Sequence, residues 1–180
     1  YNNDKSKIGG SMFMIKFDAH VSEKDLLKYN LRHVYRSMMG FPCIIAGILI
    51  AALLIIKFQE INAMAKGVYA LVIFMFWFYA PLNAKLTAKR QAAQSVFQNA
   101  LHFEFEEEGI KVSSPAAEEP AVLPWDYIYK IVTWKDYLLI YSNRVNAYIV
   151  PRADVAGCQN ELFEFVRAPV KDYKLELKWK

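Results

Sequence analysis

Two long apolar runs without a formal charge constrain this chain most. They cover residues 37–56 and 67–84, and each has a basic residue on both flanks. Each run is about as long as an α-helix must be to cross the hydrocarbon core of a bilayer. We predict a transmembrane helix over each run. Because the connection 57–66 is short, the two helices should form an antiparallel hairpin.

Small side chains repeat at a spacing of four residues in the first run. Cys43, Gly47 and Ala51 fall on one face of the predicted helix. This spacing allows helices to approach closely in lipid. We interpret the face as packing against the aromatic second helix, with dimerisation of two chains as the alternative.

Basic residues are concentrated on one side of the predicted hairpin. The loop 57–66 carries only a lysine at each end, whereas the outer flanks of the two spans carry more cations. By the positive-inside rule, the loop should be external and both termini cytoplasmic. The residues of these flanks that we predict to contact the membrane surface are Lys28, Arg32, Arg36, Lys85, Lys89 and Arg90.

A short motif offers a competing interpretation of the first run. Ala63-Met64-Ala65 follows the apolar residues and is similar to a signal-peptidase site, so that cleavage would leave a chain beginning at Lys66. The hairpin is preferred because the polar leader and the apolar run are both longer than in a usual signal peptide.

The segment before the first span has two parts. Residues 1–11 are polar and end in Gly-Gly-Ser, which is typical of a remnant of recombinant expression. Residues 12–36 are predicted to form a short strand and then a juxtamembrane amphipathic helix. This helix should begin near Ser22, whose hydroxyl can cap the first turn.

After the second span the pattern changes from helical to alternating. Residues 85–100 are helix formers without a breaker and should continue the helix as a stalk. Residues 101–180 should form a small antiparallel β domain on the cytoplasmic side. Its expected parts are a hairpin over 101–112, a loop over 113–120, a meander of strands over 128–134, 137–141 and 147–150, an amphipathic helix over 159–167 and a final strand over 173–179.

Composition excludes several classes of protein. Hydrophobic residues make up 55% of the 180 and charged residues 22%, which is too apolar for a disordered chain. The net charge of +4 is not gathered into a basic stripe, so nucleic acid is not an expected partner. Cys43 and Cys158 are far apart in sequence, and neither a disulfide framework nor a metal site is predicted.

No motif predicts catalysis or a cofactor. His20, His33 and His102 are scattered and stand near no nucleophile motif, and glycine-rich phosphate loops are absent. We therefore predict that the protein is not an enzyme and has no catalytic, cofactor-binding or metal-binding residues. A membrane-bound hydrolase or transferase is the residual alternative.

Three further features have both a structural and a functional interpretation. The acidic run 104–108 is interpreted as a solvated hairpin tip and not as a cation site. Trp125 and Trp134 are expected in the core of the sheet and not as a ligand-stacking pair. Arg152 is expected to be an exposed charge, with contact to anionic headgroups or to the stalk as the functional alternative.

The sequence also resembles a known family. After the two apolar spans come FEFEEEGIKVSS, LPWDYIYKIVTWKDYLLIYSNRVNAYIVPRADV and NELFEFVR. The most specific features are Trp125 with Ile128, the Lys135-Asp136 turn, and Ile149-Val150-Pro151-Arg152. From about Met12 to Arg167 this pattern resembles the YcxB-like family of bacterial membrane proteins. The resemblance implies a C-terminal β-barrel similar to pleckstrin-homology (PH) domains and a place in the bacterial inner membrane, and it carries no catalytic residues.

The expected fold class is thus an α+β membrane protein: an N-terminal helix and a transmembrane hairpin, then a small antiparallel PH-like β domain with a C-terminal helix. The leading functional hypothesis is a membrane-anchored interaction or scaffold module that binds a protein partner, or its own copies, through the cytoplasmic β domain. The alternative is a receptor domain for a lipid headgroup or a small ligand at the inner face of the membrane. Membrane lipids are the other expected partners.

Overall fold

A computed structural model describes residues 14–36 and 40–179. The expected remnant 1–11 and the beginning of the first predicted span, residues 37–39, lie outside the described residues. The chain divides into two compact units. The helical unit is Ser22–Gln98, and the described part of the β unit consists of residues 14–21 and 99–179. The helical unit is therefore an insertion in the sequence of the β unit.

Side-chain caps set where the long helices begin. Ser22 and Asp25 exchange hydrogen bonds at the start of the first helix, which confirms the predicted helix start. The side chain of Asn62 accepts from the amide of Ala65 at 2.8 Å and caps the third helix inside the predicted loop. The helices of this unit are α1 (Glu23–Arg36), α2 (Gly40–Ile56), α3 (Ala63–Ala92) and α4 (Ser95–Gln98).

The predicted continuous stalk is corrected at its C-terminal end. Helix α3 ends at Ala92, and the amide of Ala93 donates to the carbonyls of Lys89 and Gln91. The side-chain amide of Gln98 then donates to the carbonyl of Ala93 at 3.1 Å. Because these local bonds satisfy carbonyls at the helix end, the chain turns there and α4 starts as a separate helix.

Close packing joins α2 to α3. A Cβ atom added at Gly47 would lie 2.3 Å from Nε1 of Trp77 and 3.4 Å from Cβ of Phe76. The backbone of α2 at Gly47 therefore lies close to the Trp77 ring of α3. At Gly47 this confirms the interpretation of the small residues as packing against the second helix.

One helix among the described residues, α3, is long and apolar enough to cross a membrane by length and composition. Helices α1 and α2 meet the same criterion only as a pair, which is bent by 71°. The first predicted span, over 37–56, therefore stays a prediction.

The described residues of the β unit form eight strands: β1 (Ile15–Ala19), β2 (Leu101–Glu106), β3 (Gly109–Ser113), β4 (Ala121–Pro124), β5 (Lys130–Trp134), β6 (Tyr137–Tyr141), β7 (Ala147–Pro151) and β8 (Leu175–Glu176). They make two four-stranded sheets, in the orders β1-β2-β3-β4 and β7-β6-β5-β8. Neighbouring strands are antiparallel except β5 and β8, which are parallel. The predicted hairpin and meander are confirmed.

Strand β1 belongs to the same sheet as β2, on the other side of the insertion. Phe17 lies opposite Phe103, and their rings stack with centroids 5.3 Å apart. The burial of β1 alternates strictly, so that one face joins the core and the other meets solvent. The N-terminal strand therefore completes the β unit.

Two helices follow the meander, α5 (Arg152–Val155) and α6 (Gln159–Arg167). Helix α6 has the predicted bounds, and it buries Leu162, Phe163 and Val166 in the core of the β unit. This confirms the amphipathic helix.

The predicted final strand is corrected. A 3₁₀ turn over Asp172–Lys174 precedes β8, which is only two residues long. Beyond it, the amide of Lys178 donates to Oγ1 of Thr133 at 2.6 Å and not to a backbone carbonyl. The same hydroxyl donates to the carbonyl of Glu176 at 3.0 Å. The Thr133 hydroxyl thus takes the place of backbone hydrogen bonds between strands, and β8 ends.

Candidate functional site

The basic residues predicted to contact a membrane surface lie in two different units. Six belong to the helical unit, where Lys28, Arg36, Lys85, Lys89 and Arg90 are exposed and Arg32 is half-buried. Helices α1 and α3 pack against each other, and the side chain of Asn30 donates to that of Gln91 at 2.9 Å. The structure thus brings the cations of α1 beside those at the end of α3.

Arg152, the seventh predicted contact, belongs to the β unit. It starts α5, and its guanidinium lies over the ring of Trp179, 5.2 Å from the centroid. Its backbone amide donates to the carbonyl of Asp136 at 2.7 Å. Arg152 is half-buried, so the expectation of a plain exposed charge is corrected: the cation packs on an aromatic ring of the C-terminal segment.

The acidic run 104–108 divides between paired and solvated carboxylates. Glu104 lies opposite Lys16, whose ammonium donates to it at 2.5 Å and holds the pKa of this carboxyl below its usual value. Glu106 binds Lys111 at 2.7 Å and raises the pKa of that ammonium. The residues 107 and 108 are exposed at the turn of the hairpin. This tip is solvated, as predicted.

A groove with a volume of about 660 Å³ opens beside this hairpin tip. Trp125 forms part of its floor: the indole N–H donates to the carbonyl of Glu106 at 3.0 Å, which fixes the ring. Phe105 and Phe165 flank the indole with centroid distances of 6.1 and 6.0 Å. The floor is therefore a continuation of the core and is held rigidly by it.

Carboxylates form the charged part of the groove lining. Glu107 comes from the hairpin tip, and Glu161 and Glu164 come from α6. All three are exposed, and none of them has an ion-pair or hydrogen-bond partner in the part of the chain that the structure describes. The complete lining is Met14, Ile15, Glu107, Trp125, Glu161, Glu164, Phe165, Ala168 and Pro169, and it contains no cation.

Cys158 lies just before α6, near the groove. Burial, together with the Glu161 carboxylate, raises the pKa of its thiol. A protonated, half-buried thiol is a poor nucleophile. Among residues 14–36 and 40–179, no group of three or more His, Cys, Asp or Glu side chains is arranged to hold a metal ion.

The chemistry of the groove is that of a binding site for a cation with an apolar part. An aromatic floor favours desolvated apolar or cationic groups, and the rim favours positive charge. Sequence reasoning placed Trp125 in the core and Glu107 at a solvated tip, but it did not bring them together with α6. The amphipathic pattern of α6 predicted its buried face. The two glutamates on its outer face indicated only a solvent-exposed surface and not a binding site.

Comparison with known proteins matches part of the chain to a family. No curated protein sequence matches the chain. The model of the YcxB-like protein family matches residues 105–166, which run from β2 through the meander to the end of α6. This segment contributes most of the groove, including Trp125 and all three glutamates. The YcxB-like resemblance predicted from the sequence is thus confirmed over residues 105–166.

Proposed function

We propose that this protein is a membrane-anchored interaction module, in which the helical unit is the anchor and the β unit binds a segment of a partner protein. The anchor is supported by the apolar side chains that α2 and α3 leave exposed. Ile55, Leu71, Phe74 and Phe78 are each more than half exposed within the unit. Apolar surface of this extent is costly in water and favourable in hydrocarbon.

The chain connects the β unit to its proposed anchor at two points. The chain leaves the β unit after β1 and returns to it at β2, and these strands pair with Ala19 opposite Leu101. The β unit is therefore joined to its anchor through two neighbouring strands and not through one flexible linker.

The remaining parts of this proposal follow from the sequence. Basic residues on the outer flanks of the hairpin favour two spans with both termini in the cytoplasm, and the family resemblance favours the inner membrane of a bacterium. Two sheets followed by a C-terminal helix support a PH-like fold for the β unit. On this proposal the groove faces cytoplasmic partners.

The groove is the observation that carries the binding role. Its rigid aromatic floor and its three carboxylates without partners among the described residues fit a lysine- or arginine-bearing segment with an apolar neighbour. Such a rim steers a cationic partner, while the buried aromatic contact supplies most of the affinity. The same charge disfavours an anionic lipid headgroup at this place.

Site-specific photo-crosslinking in native membranes tests the proposal. A crosslinker at Ala168, in the groove, should capture a partner, and one at Ala117, on the loop before β4, should not. The double variant Glu161→Gln/Glu164→Gln should abolish the capture from Ala168. Glu118→Gln/Glu119→Gln removes the same charge from an exposed loop outside the groove lining and should leave capture unchanged.

Equal capture from both positions, or capture that both double variants retain, would contradict a specific groove. Crosslinks only between copies of the chain would favour self-association, the other form of the module hypothesis.

A small cationic ligand is the second candidate occupant. The groove volume of about 660 Å³ lies within the range of pockets that enclose small molecules. A protein partner would give a crosslinked species of increased protein mass, whereas a small ligand would give a mass increase below that of a peptide. Mass spectrometry of the Ala168 adduct therefore separates the two.

A further inference from the structure

A second cavity, with a volume of about 510 Å³, opens on the surface of the helical unit. It is lined by the last turn of α1, the first turns of α2 and the middle of α3, and Val34, Ile44, Val72 and Phe76 are among its walls. Walls of this chemistry suit a hydrocarbon chain.

Amphipathic side chains lie at the α1 side of this cavity. His33 and Tyr35 contribute to the lining from α1, and Tyr79 contributes from α3. Arg36 follows Tyr35 directly and is exposed. Tyrosine and arginine are residues that favour the boundary between hydrocarbon and headgroups. A molecule whose apolar tail fills the cavity would therefore meet polar and cationic groups where α1 ends.

Charge decides what kind of polar group fits there. From residue 26 to residue 100 the sequence contains one acidic residue, Glu60. Its carboxylate accepts from Lys57 at 2.6 Å, in the connection between α2 and α3. All formal charges of α2, α3 and the second half of α1 are basic. Such a field favours an anionic group and repels a cationic one.

We propose that this cavity binds an acyl chain of an anionic phospholipid, whose phosphate lies beside Arg36. The inference rests on the membrane anchoring proposed above, but it is independent of the groove in the β unit. It assigns Arg36 a defined task, which is to hold one lipid and not only to lie near many.

Lipid retention by the full chain tests the inference. The protein is reconstituted in bilayers of equal parts phosphatidylglycerol and phosphatidylcholine, extracted in a mild detergent, and weighed by native mass spectrometry. We expect phosphatidylglycerol to be retained in clear excess over phosphatidylcholine. Val72→Trp should remove the bound lipid because the indole fills the cavity, and Arg36→Gln should lower the preference for phosphatidylglycerol about fivefold.

Two matched controls are available on α3. Leu71→Trp adds the same ring next to Val72 but at an exposed position outside the cavity lining, and it should leave retention unchanged. Lys66→Gln removes a cation near the start of the helix, where the ammonium lies over the Phe58 ring, and should leave the preference unchanged. Arg36→Gln is an exposed substitution, so its result stays informative even if Val72→Trp fails to fold.

Retention of the two lipids in bulk proportion would overturn the proposal, as would equal displacement by Leu71→Trp and Val72→Trp. A dimer mass without lipid would show that a second copy covers the cavity and would also overturn it. Flotation with vesicles separates this failure from that of the anchor: a chain that floats without retaining lipid loses only the lipid site, and one that does not float loses both.

Discussion

The two units of this protein differ in how far they bury their large apolar side chains. In the β unit the largest ones are sequestered: Phe103 and Phe105 are both 0% exposed. In the helical unit, Phe74 on α3 remains 55% exposed. Alternation in the first unit sends every second residue inward, whereas the long helices have apolar residues all round. The β unit has a closed apolar core, whereas the helical unit leaves the apolar surface that we propose to lie in a membrane.

Replacing one phenylalanine by alanine in each unit should give the largest difference in stability between the two units. Phe105→Ala should lower the free energy of unfolding of the β unit by about 3–5 kcal/mol, because it leaves a cavity in a closed core. Phe74→Ala should have little effect on the stability of either unit. Hydrogen exchange of the full chain in detergent micelles measures both. An equal loss for the two variants would mean that the helical unit has a closed core of its own.

An introduced charge tests the proposed membrane environment of the helical unit. Leu53→Arg on α2 should oppose insertion by about 2.5–3.5 kcal/mol and reduce the fraction of chain that floats with vesicles. Val122→Arg on β4 is the matched change at a similarly exposed position of the β unit, and flotation should be unaffected. The contrast between the units fails if Leu53→Arg floats as well as the parent chain.

Two glycine substitutions compare a closely packed position with an open one within the helical unit. Gly47→Ala would place a methyl group 2.3 Å from Nε1 of Trp77, so that the indole or the helices must move, and it should cost about 1–3 kcal/mol. Gly67→Ala meets no atom within 4 Å and should stabilise α3 by up to about 1 kcal/mol through helix propensity. Thermal unfolding in micelles, followed by tryptophan fluorescence, compares the two. A neutral Gly47→Ala would rule out the close approach of the helices.

The smallest expected effect is on the pH dependence of stability, through an ion pair on the exposed face of the β unit. Lys16 holds the pKa of Glu104 below its ordinary value of 4.5. The ionised carboxylate therefore adds stability above that value, and the contribution is lost as the pH falls through the lowered folded pKa. Glu104→Gln should reduce this loss slightly, as seen in chemical denaturation of the full chain between pH 6 and about pH 3.

The same titration of Glu118→Gln, on an exposed loop, is the control and should follow the parent chain. A steeper acid dependence in Glu104→Gln than in the parent would contradict the proposed role of Lys16.

Local sequence patterns predicted the helices and strands better than they predicted which strands pair. The hairpin, the meander and the bounds of α6 follow from alternation and helical spacing, which are properties of adjacent residues. Strand β4 was not predicted. Its four residues follow Pro120 and are mostly exposed, so their pattern resembles the end of a loop. The pairing of β1 with β2 was missed because alternation reveals a strand but not which strand lies beside it.

The groove could not be predicted for the same reason. Its floor depends on the contact of Trp125 with Phe165, and its rim combines a hairpin tip with the outer face of a helix. Each of these parts has an ordinary structural role when considered alone. Only the tertiary fold shows that three carboxylates surround one aromatic surface.

The insertion of the helical unit between β1 and β2 has a consequence for biosynthesis. Asp18 and His102, which bind each other at 2.6 Å, are 84 positions apart, and closing so long a loop in a disordered chain costs about 4 kcal/mol. During synthesis, β1 leaves the ribosome first and must wait for its partner strand until both long helices have been made. If α1 packs on α3 early, it brings the two strands together and shortens the effective loop. Insertion of the anchor would then be a step in the folding of the β unit and not only its means of attachment.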